Sequence, residues 1–324
     1  MGVPSVFAVV LSYNGSADTV ECLQSLIDQD CPGLSVLVVD NASTDGAPGV
    51  IRARFPQIEL LTLDRNRGWA GGNNLGIGVA LDRGADVICL LNNDLVLPGD
   101  ALRRLACAYR QLGSCLLHPA IYYYTDRNLP QLDPTVNSPA AERLAISSGD
   151  DVWSLADAYG ACLMVGSEVF RKVGLFDERF FLQLEETDFC LRTRRQGLRP
   201  LCLPSVRVLH KESVAFGGRR SPMKTYYSVR NRLLLAEKHT PPGFPGSLAA
   251  ARALYWQLRG LYGHVGDGGF LRWLLSADVY AVAVRRGILD YMARRFGDAD
   301  VRTVRALESA DRRSIAKEKS LLDL

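Results

Sequence analysis

The sequence is short of several things, and each absence removes a class of function. No two of its eight cysteines, at positions 22, 31, 89, 107, 115, 162, 190 and 202, stand in C-x-x-C spacing. Cysteines so scattered, with Cys89 inside an apolar strand-like run, read as reduced thiols and not as a disulfide framework or a zinc site. No apolar run reaches the ~18 residues of a membrane span. The longest candidate, 273–284, is interrupted by Ser276 and Asp278 and flanked by Arg272 and Arg285. No basic region precedes the first apolar stretch, so no signal peptide is expected and the chain reads as cytoplasmic. The net charge is only +3, with no broad basic run before the last third, which argues against a nucleic-acid binder. Neither a G-x-G-x-x-G after the first apolar run nor a G-K-[ST] is present. A dinucleotide fingerprint and a P-loop are thereby excluded.

What is there reads as an ordinary globular protein: 324 residues, 48% hydrophobic and 23% charged. That length suits one large domain or two ordinary ones. Four short apolar runs, 6–11, 34–39, 58–63 and 87–91, are rich in β-branched residues and Leu. Runs apolar throughout fit strands covered on both faces, as in a parallel sheet. Helical patterns lie between them. Val20, Leu23, Leu26 and Ile27 share a face, as do Leu102, Leu105, Tyr109 and Leu112 behind a cap expected at Asp100. Each run ends in a polar cluster: Ser12-Tyr13-Asn14-Gly15, Asp40-Asn41-Ala42-Ser43, Asp64 to Gly68, and Asn92-Asn93-Asp94. Ligands of such sheets bind beyond the carboxyl ends of the strands, so the four clusters are expected to converge on one cleft. The weakly patterned stretch 122–148, with Pro130, Pro134 and Pro139, reads as an excursion or lid. From Met223 the pattern turns helical, and "TPPGFPG" (240–246) breaks it.

The cleft residues suggest chemistry. Glycines in "RNRGWAGGNN" (Gly68, Gly71, Gly72) would let backbone approach a ligand closely, and Arg65 and Arg67 would neutralise phosphate. Without a P-loop, the alternative for a diphosphate is a divalent cation on one or two carboxylates; Asp40 closes the second apolar run and Asp94 follows the fourth. Taken singly, Asp94 is equally a cap or turn residue, Asp40 an Asx-turn, and Gly71-Gly72 a packing device; their meeting at adjoining strand ends favours a ligand. Downstream, "LEETDF" puts Glu185 and Asp188 on one helical face and Glu186 on another. The alternative there is a solvated acidic helix start.

Six stretches in order, "VVLSYNG", "VVDNASTDG", "RNRGWAGGNNLGI", "LLNNDLVLPGD", "GACLMVGSEVFRKVGLFDERFFLQLEETDFCLR" and "YYSVRNRLLL", together resemble family 2 glycosyltransferases of the GT-A fold. The nearest likeness is to the bacterial rhamnosyltransferase-like branch, which builds cell-surface polysaccharides. The resemblance covers roughly residues 5–235. It implies an α/β fold, a GT-A-type Rossmann-like mixed and mainly parallel sheet flanked by helices, with a helical C-terminal extension. The implied division is a catalytic domain 1–239, with a nucleotide-sugar half of about 1–115 and an acceptor half of about 116–239, then a helical region 240–324.

The resemblance also implies roles. Asp94 would ligate Mg2+ or Mn2+, with Asn92 and Asn93 on ribose, phosphate or metal-bound water. Asp40 would accept the N3–H of uracil or thymine and Tyr13 would pack on that ring; Asn14, Arg67 and Gly71 complete the donor set. The donor is then a UDP- or dTDP-sugar, with dTDP-rhamnose favoured, and transfer inverts the anomeric centre. The implied base is Glu186, with Glu185 as its alternative. His210 is either a second metal ligand or structural. Asp177 and Asp188 belong to the acceptor side; Arg230 meets an acceptor phosphate or forms a structural ion pair. Gly160-Ala161-Cys162 would floor the donor sugar. Two departures stand out. Asn92 occupies the place of the first Asp of a D-x-D motif, which removes a charge from the metal site. Glu186 stands where the family uses Asp, one methylene shorter.

The acceptor that the resemblance implies is a glycan or a lipid-linked molecule. The Arg- and aromatic-rich stretch 247–296 would lie on an anionic membrane surface, making the protein peripheral on the inner face of the plasma membrane. Otherwise its helices pack on the core or pair two subunits into a homodimer. Two rivals remain. A sugar nucleotidyltransferase would show a Gly-rich basic loop after the first strand, where this chain has Ser12-Tyr13-Asn14-Gly15. A non-catalytic GT-A-fold binding protein would tolerate Asn92 and Glu186.

Overall fold

A computed structural model describes residues 4–137, 141–212, 221–241, 246–262 and 266–310. Pro139 of the expected lid and residues 242–245 of the expected breaker lie outside the described residues. The chain divides into two compact units, Met1–Asp177 with Glu186–Ala215 and Glu178–Glu185 with Phe216–Leu324.

In the first unit the four apolar runs form β1 (Val6–Ser12), β2 (Ser35–Asp40), β3 (Glu59–Thr62) and β4 (Val87–Asn92). β1 lies between β2 and β4, and β3 flanks β2, all parallel. The sheet continues with β5 (Leu95–Val96), β6 (Leu116–Tyr123), β7 (Pro130–Leu132), β8 (Arg143–Ala145), β9 (Asp151–Ser154), β10 (Cys162–Gly166) and β11 (Pro200–His210). Its main order is β3-β2-β1-β4-β10-β6-β11-β9-β8. β10 runs antiparallel to both β4 and β6, which makes the sheet mixed. The stretch expected to be an excursion is more ordered than its weak pattern implied: β7 pairs with β6, and β8 with β9 at the edge.

Helices cover both faces: α1 (Ser16–Ile27), α2 (Ala47–Arg54), α3 (Gly68–Asp82), α4 (Ala101–Leu112), the short α5 (Pro134–Asn137), α6 (Ser167–Val173) and α7 (Glu185–Arg194). Alternate strand residues point to opposite faces. Val6, Ala8 and Val10 therefore join Leu23, Leu26, Leu102 and Leu105 in one core, while Phe7, Val9 and Leu11 join Ala70, Ile77 and Phe170 in the other. Full burial of a Leu is worth roughly 1.5–3 kcal/mol, so α1 and α4 are held mainly by these contacts.

Two local expectations change. Ile27 is exposed, because α1 turns Thr19, Cys22, Leu23 and Leu26 inward. Asp100 makes no side-chain cap; the Leu102 N–H in that first turn donates to Gln29 Oε1 at 3.0 Å. The glycines expected either to bring backbone against a ligand or to serve packing lie within α3, from Gly68 onward. A Cβ on Gly72 would lie 2.4 Å from Leu11 Cδ1, and one on Gly76 2.3 Å from Val9 Cγ1. These glycines let the helix sit directly on β1.

The second unit contains α8 (Pro222–His239), α9 (Gly246–Tyr262), α10 (Gly266–Leu274) and α11 (Val279–Met292). Ser221 Oγ caps α8 by accepting from Lys224 N at 3.1 Å, with Pro222 in the first turn, where its missing N–H costs nothing. α8 packs on α9 and α11. Among the described residues no helix is long and apolar enough to cross a membrane.

Candidate active site

One edge of the sheet collects the carboxyl ends of β1, β2 and β4. Because β10 is antiparallel to β4 and β6, and β11 is parallel to β6, the start of β10 and the end of β11 reach the same edge. There β4 stops at Asn92, Asn93-Asp94 form a turn, and β5 folds back to pair with the end of β11, with His210 opposite Leu95. That pairing brings His210 Nε2 within 3.2 Å of Asp94 Oδ1, both side chains being buried. His210 Nδ1 lies 2.7 Å from Gln131 Oε1, and Gln131 Nε2 donates to the His210 carbonyl at 3.2 Å. The second bond fixes the amide, so Oε1 accepts from Nδ1–H and Nε2 is left to face the carboxylate. Lys211, next in the chain, anchors this strand end to α1 by donating to Asp18 Oδ1 at 2.8 Å and to Glu21. Burial pulls the Lys211 pKa down, but the two carboxylates outweigh it and raise the net value.

At the ends of β1 and β2, Asp40 is fully buried. Its Oδ2 accepts from Ser43 N at 3.2 Å, so the Asx-turn forms, while Oδ1 has no hydrogen-bond partner among the described residues. A buried carboxylate oxygen left open calls for an N–H donor. Tyr13 stands half-buried directly after β1. Asn14, at φ 57°, donates its N–H to Ser43 Oγ and accepts from Thr44 N through Oδ1, at 2.8 and 2.9 Å. Asn93 Nδ2 donates to the Asn14 carbonyl and to Thr19 Oγ1, at 3.1 and 2.8 Å. The second amide of the motif thus holds the loop after β1. Asn41, in the second cluster but given no role of its own, ties β2 to the next cluster: its Oδ1 accepts from Arg67 N at 2.7 Å, and Nδ2 donates to Asn66 and to the Gly68 carbonyl. Arg67 pairs loosely with Asp64 at 3.9 Å, and its buried Nε has no protein acceptor among the described residues. Gly71 is buried in the first turns of α3.

Glu186 approaches the same edge from α7. Asn92 Oδ1 accepts from Trp69 Nε1 at 3.1 Å, and Asn92 N donates to the Ala161 carbonyl at 2.9 Å. Gly160 adjoins that strand start. A Cβ there would lie 2.8 Å from Glu186 Oε1 and 3.0 Å from Trp69 Cζ2. The carboxyl and the indole therefore both crowd the space that a side chain at 160 would enter. Glu186 Oε2 is sealed from solvent without a partner among the described residues. Burial first, and then the nearby Asp157 carboxylate, push the Glu186 pKa up to about 7, against the pull of its own N–H and that of Gly160.

The other expected residues take different positions. Asp188 is fully buried and paired with Arg192 at 2.9 Å; Arg192 also donates to the Val173 and Leu175 carbonyls, so the pair braces α7. Asp177 is half-buried beside Phe176, whose backbone is clasped by both ends of the Asn74 amide at 2.9 and 3.0 Å. Glu185 is buried and counts with the second unit. Arg230 departs from the acceptor-phosphate expectation. It is fully buried, and each of its five N–H donors has an acceptor: Asn231 Oδ1, Tyr226 OH, and the carbonyls of Gly297, Arg179 and Phe180. No donor remains for a ligand, and no acidic side chain is involved.

Sequence reasoning missed Gln131, Trp69 and Asn41. Gln131 sits in a stretch without pattern, a lone Trp in an apolar context reads as core, and a polar residue beside a candidate carboxylate carries no separate signal. Asp94 and His210 form a pair rather than a cluster; no group of three metal-ligating side chains occurs among the described residues. The pair still fits a divalent cation, because a carboxylate oxygen and an oriented imidazole nitrogen converge, and Gln131 is the outer partner such a ligand requires. Two protein ligands suit a metal whose remaining positions are filled by phosphate oxygens and water.

Residues 7–174 match the family model described as Glycosyl transferase family 2. The chain is 27% identical over 249 residues to a Shigella flexneri protein named dTDP-rhamnosyl transferase RfbF, covering 74% of this chain and 82% of that one. It is 29% identical over 264 residues to the N-acetylglucosaminyl-diphospho-decaprenol L-rhamnosyltransferase of Mycobacterium tuberculosis, covering 72% and 84%. The solved mannosyltransferase PcManGT of Pyrobaculum calidifontis, in complex with GDP-Man and Mn2+, has TM-score 0.56 at 17% identity, with 91% and 89% coverage. S. aureus TarS 1-349 in complex with UDP has TM-score 0.55 at 16% identity, with 96% and 92% coverage. At these identities the solved structures share the fold.

Proposed function

The chain belongs to glycosyl transferase family 2, and from that premise we propose that it moves a sugar, with inversion, from a UDP- or dTDP-sugar to a hydroxyl of a glycan or lipid-linked acceptor. dTDP-rhamnose is the favoured donor, in keeping with the names of the two rhamnosyltransferases to which the chain is similar. The observation that carries the reading is one continuous edge: the open Asp40 oxygen, the Asp94–His210 pair, and, flanking Gly160, the Glu186 carboxyl and the Trp69 indole that bonds Asn92.

Asp40 Oδ1 suits the N3–H of a uracil or thymine ring, with Tyr13 against the ring face. Arg67 Nε suits a phosphate oxygen. Asp94 and His210 would hold Mg2+ or Mn2+. Such a cation, when bound, offsets negative charge on the leaving diphosphate. Glu186 takes the proton of the acceptor hydroxyl as that oxygen bonds to the anomeric carbon and the nucleoside diphosphate departs. A carboxyl with a pKa near 7 is a stronger base than an ordinary one, while half of it remains ionised at that pH. The extra methylene of Glu over Asp is absorbed by the glycine at 160, which lets the carboxyl lie flush against the strand start.

Exposed apolar side chains on the C-terminal helices, Leu248, Tyr255, Trp256, Leu271 and Met292, with the exposed Arg252 and Arg272, support docking on an anionic lipid surface. Flotation with anionic vesicles tests this; a protein that stays at the bottom of the gradient contradicts it.

The function itself is tested by thermal shift with UDP, dTDP and their sugars in the presence and absence of Mn2+, followed by donor hydrolysis and transfer assays. A pyrimidine diphosphate is expected to raise the melting temperature, and Asp94→Ala and Glu186→Gln to abolish turnover. A bound nucleotide located away from Asp40 and Asp94 overturns the reading.

A further inference from the structure

The pair Arg230–Asn231, whose guanidinium and amide donors are all taken up inside the protein, does something other than bind a ligand. We infer that these two residues of α8 are positioning residues for Glu186, because they hold the segment 178–185 in a backbone shape that it would not keep alone, and that segment runs without a break into α7. The inference rests on Glu186 being the base.

Three residues of the segment, none of them glycine, occupy left-handed backbone: Phe181 at φ 63°, Gln183 at 75° and Leu184 at 72°. Side chains other than glycine rarely adopt this region, and it persists only where the surroundings over-determine it. Here they do. Asn231 Nδ2 lies 2.7, 2.8 and 2.8 Å from the carbonyls of Phe180, Leu182 and Gln183. Arg230 Nη2 donates to the carbonyls of Arg179 and Phe180, at 3.2 and 3.1 Å. Arg230 Nε donates to Asn231 Oδ1 at 3.0 Å and so fixes which way the amide faces. Both side chains are fully buried. The rings of Tyr226 and Tyr227 lie 5.4 and 4.9 Å from the guanidinium, and Phe181 stacks on Tyr227 at 5.3 Å. Four carbonyls thus turn inward onto two side chains that only donate to them. Buried carbonyls left without donors are costly, so the left-handed shape and the pair stabilise each other. If the pair fails, the segment relaxes and the start of α7, with Glu186, loses its fixed orientation.

The test is Asn231→Asp, which keeps the shape of the side chain but sets an oxygen against three carbonyls, read in the full chain by hydrogen exchange and by steady-state kinetics. Exchange in 178–186 is expected to rise about tenfold or more while β1–β4 stay protected. The kcat is expected to fall about 10–100-fold with donor KM and dTDP or UDP binding unchanged within about twofold. Should Asn231→Asp fail to fold, Arg230→Lys, which keeps the charge and loses the fork, is read the same way. Unchanged exchange in 178–186, or kcat and donor affinity falling together, overturns the inference. If the wild type transfers no sugar, or Glu186→Gln turns over normally, the functional reading fails separately; normal turnover by Glu186→Gln also removes the catalytic part of the inference, and exchange still decides whether the pair holds the segment.

Discussion

Replacing Glu186 by Gln is expected to destroy activity and, above neutral pH, to stabilise the protein. The carboxyl has its pKa pushed from 4.5 to about 7 by burial and by Asp157. Between those two values the folded form keeps a proton that the unfolded chain has released. Stability of the wild type therefore falls as pH rises from 4.5 to 7 and is flat, for this group, above 7. At 1.36 kcal/mol per pKa unit the loss is roughly 3 kcal/mol at most. Gln cannot ionise, so it escapes that loss; its Oε1 can still accept from Gly160, and its amide nitrogen takes the place of an oxygen that already lacks a partner among the described residues. Wild type and variant are expected to melt alike below pH 4.5 and to diverge up to pH 7. Above pH 7 the variant is expected to melt as much as about 6–12 °C higher, using about 2–4 °C per kcal/mol for a domain of this size. Turnover is expected to fall about 10²–10⁴-fold, the usual contribution of a general base, and wild-type kcat/KM to rise with pH through about 7. Calorimetry from pH 4 to 9 and a pH–rate profile over the same range are the assays. A variant less stable than wild type at pH 8, or a wild-type rate flat from pH 5 to 8, refutes the reasoning.

Gly160→Ala pushes a methyl into Glu186 Oε1 and the Trp69 indole; the carboxyl is the freer end, so melting is expected to change little while kcat drops, and a normal kcat would count against the placement of Glu186. Gln131→Ala removes the partner that orients His210, and Mn2+ affinity in the presence of UDP or dTDP is expected to weaken about 10–100-fold by titration calorimetry; unchanged affinity would remove His210 from the metal site. Gly72→Ala forces a Cβ to within 2.4 Å of Leu11 and is expected to destabilise the first unit by about 1–3 kcal/mol in urea unfolding, with no loss if α3 does not lie on β1.

Much of the first unit was legible in the sequence because its signals are local. Continuous apolar runs ending in polar clusters mark buried parallel strands, and the rule that ligands gather at carboxyl ends turns four such clusters into one edge. Asp40, Asn92 and Asp94 stand on that edge for this reason. Local signals also left alternatives open. The glycines of "RNRGWAGGNN" read as close approach to a ligand or as packing, and contact with Leu11 and Val9, which no window of sequence contains, makes Gly72 and the following Gly76 packing residues. Arg230 reads as the partner of an acceptor phosphate or as half of an ion pair, yet it is buried with five internal acceptors, none of them acidic.

By itself the sequence determined the four strands β1–β4, their order of appearance and the acidic and amide residues that close them, since backbone preference and hydrophobic pattern act over a few neighbouring residues. Only the tertiary structure decided which of those groups meet. The pairing of β5 with the end of β11 sets His210 on Asp94, the start of β10 sets Gly160 under Glu186 and Trp69, and the resulting enclosure raises the Glu186 pKa. Register and burial are properties of segments far apart in the chain, and the charge state of a carboxyl depends on them more than on its neighbours in sequence.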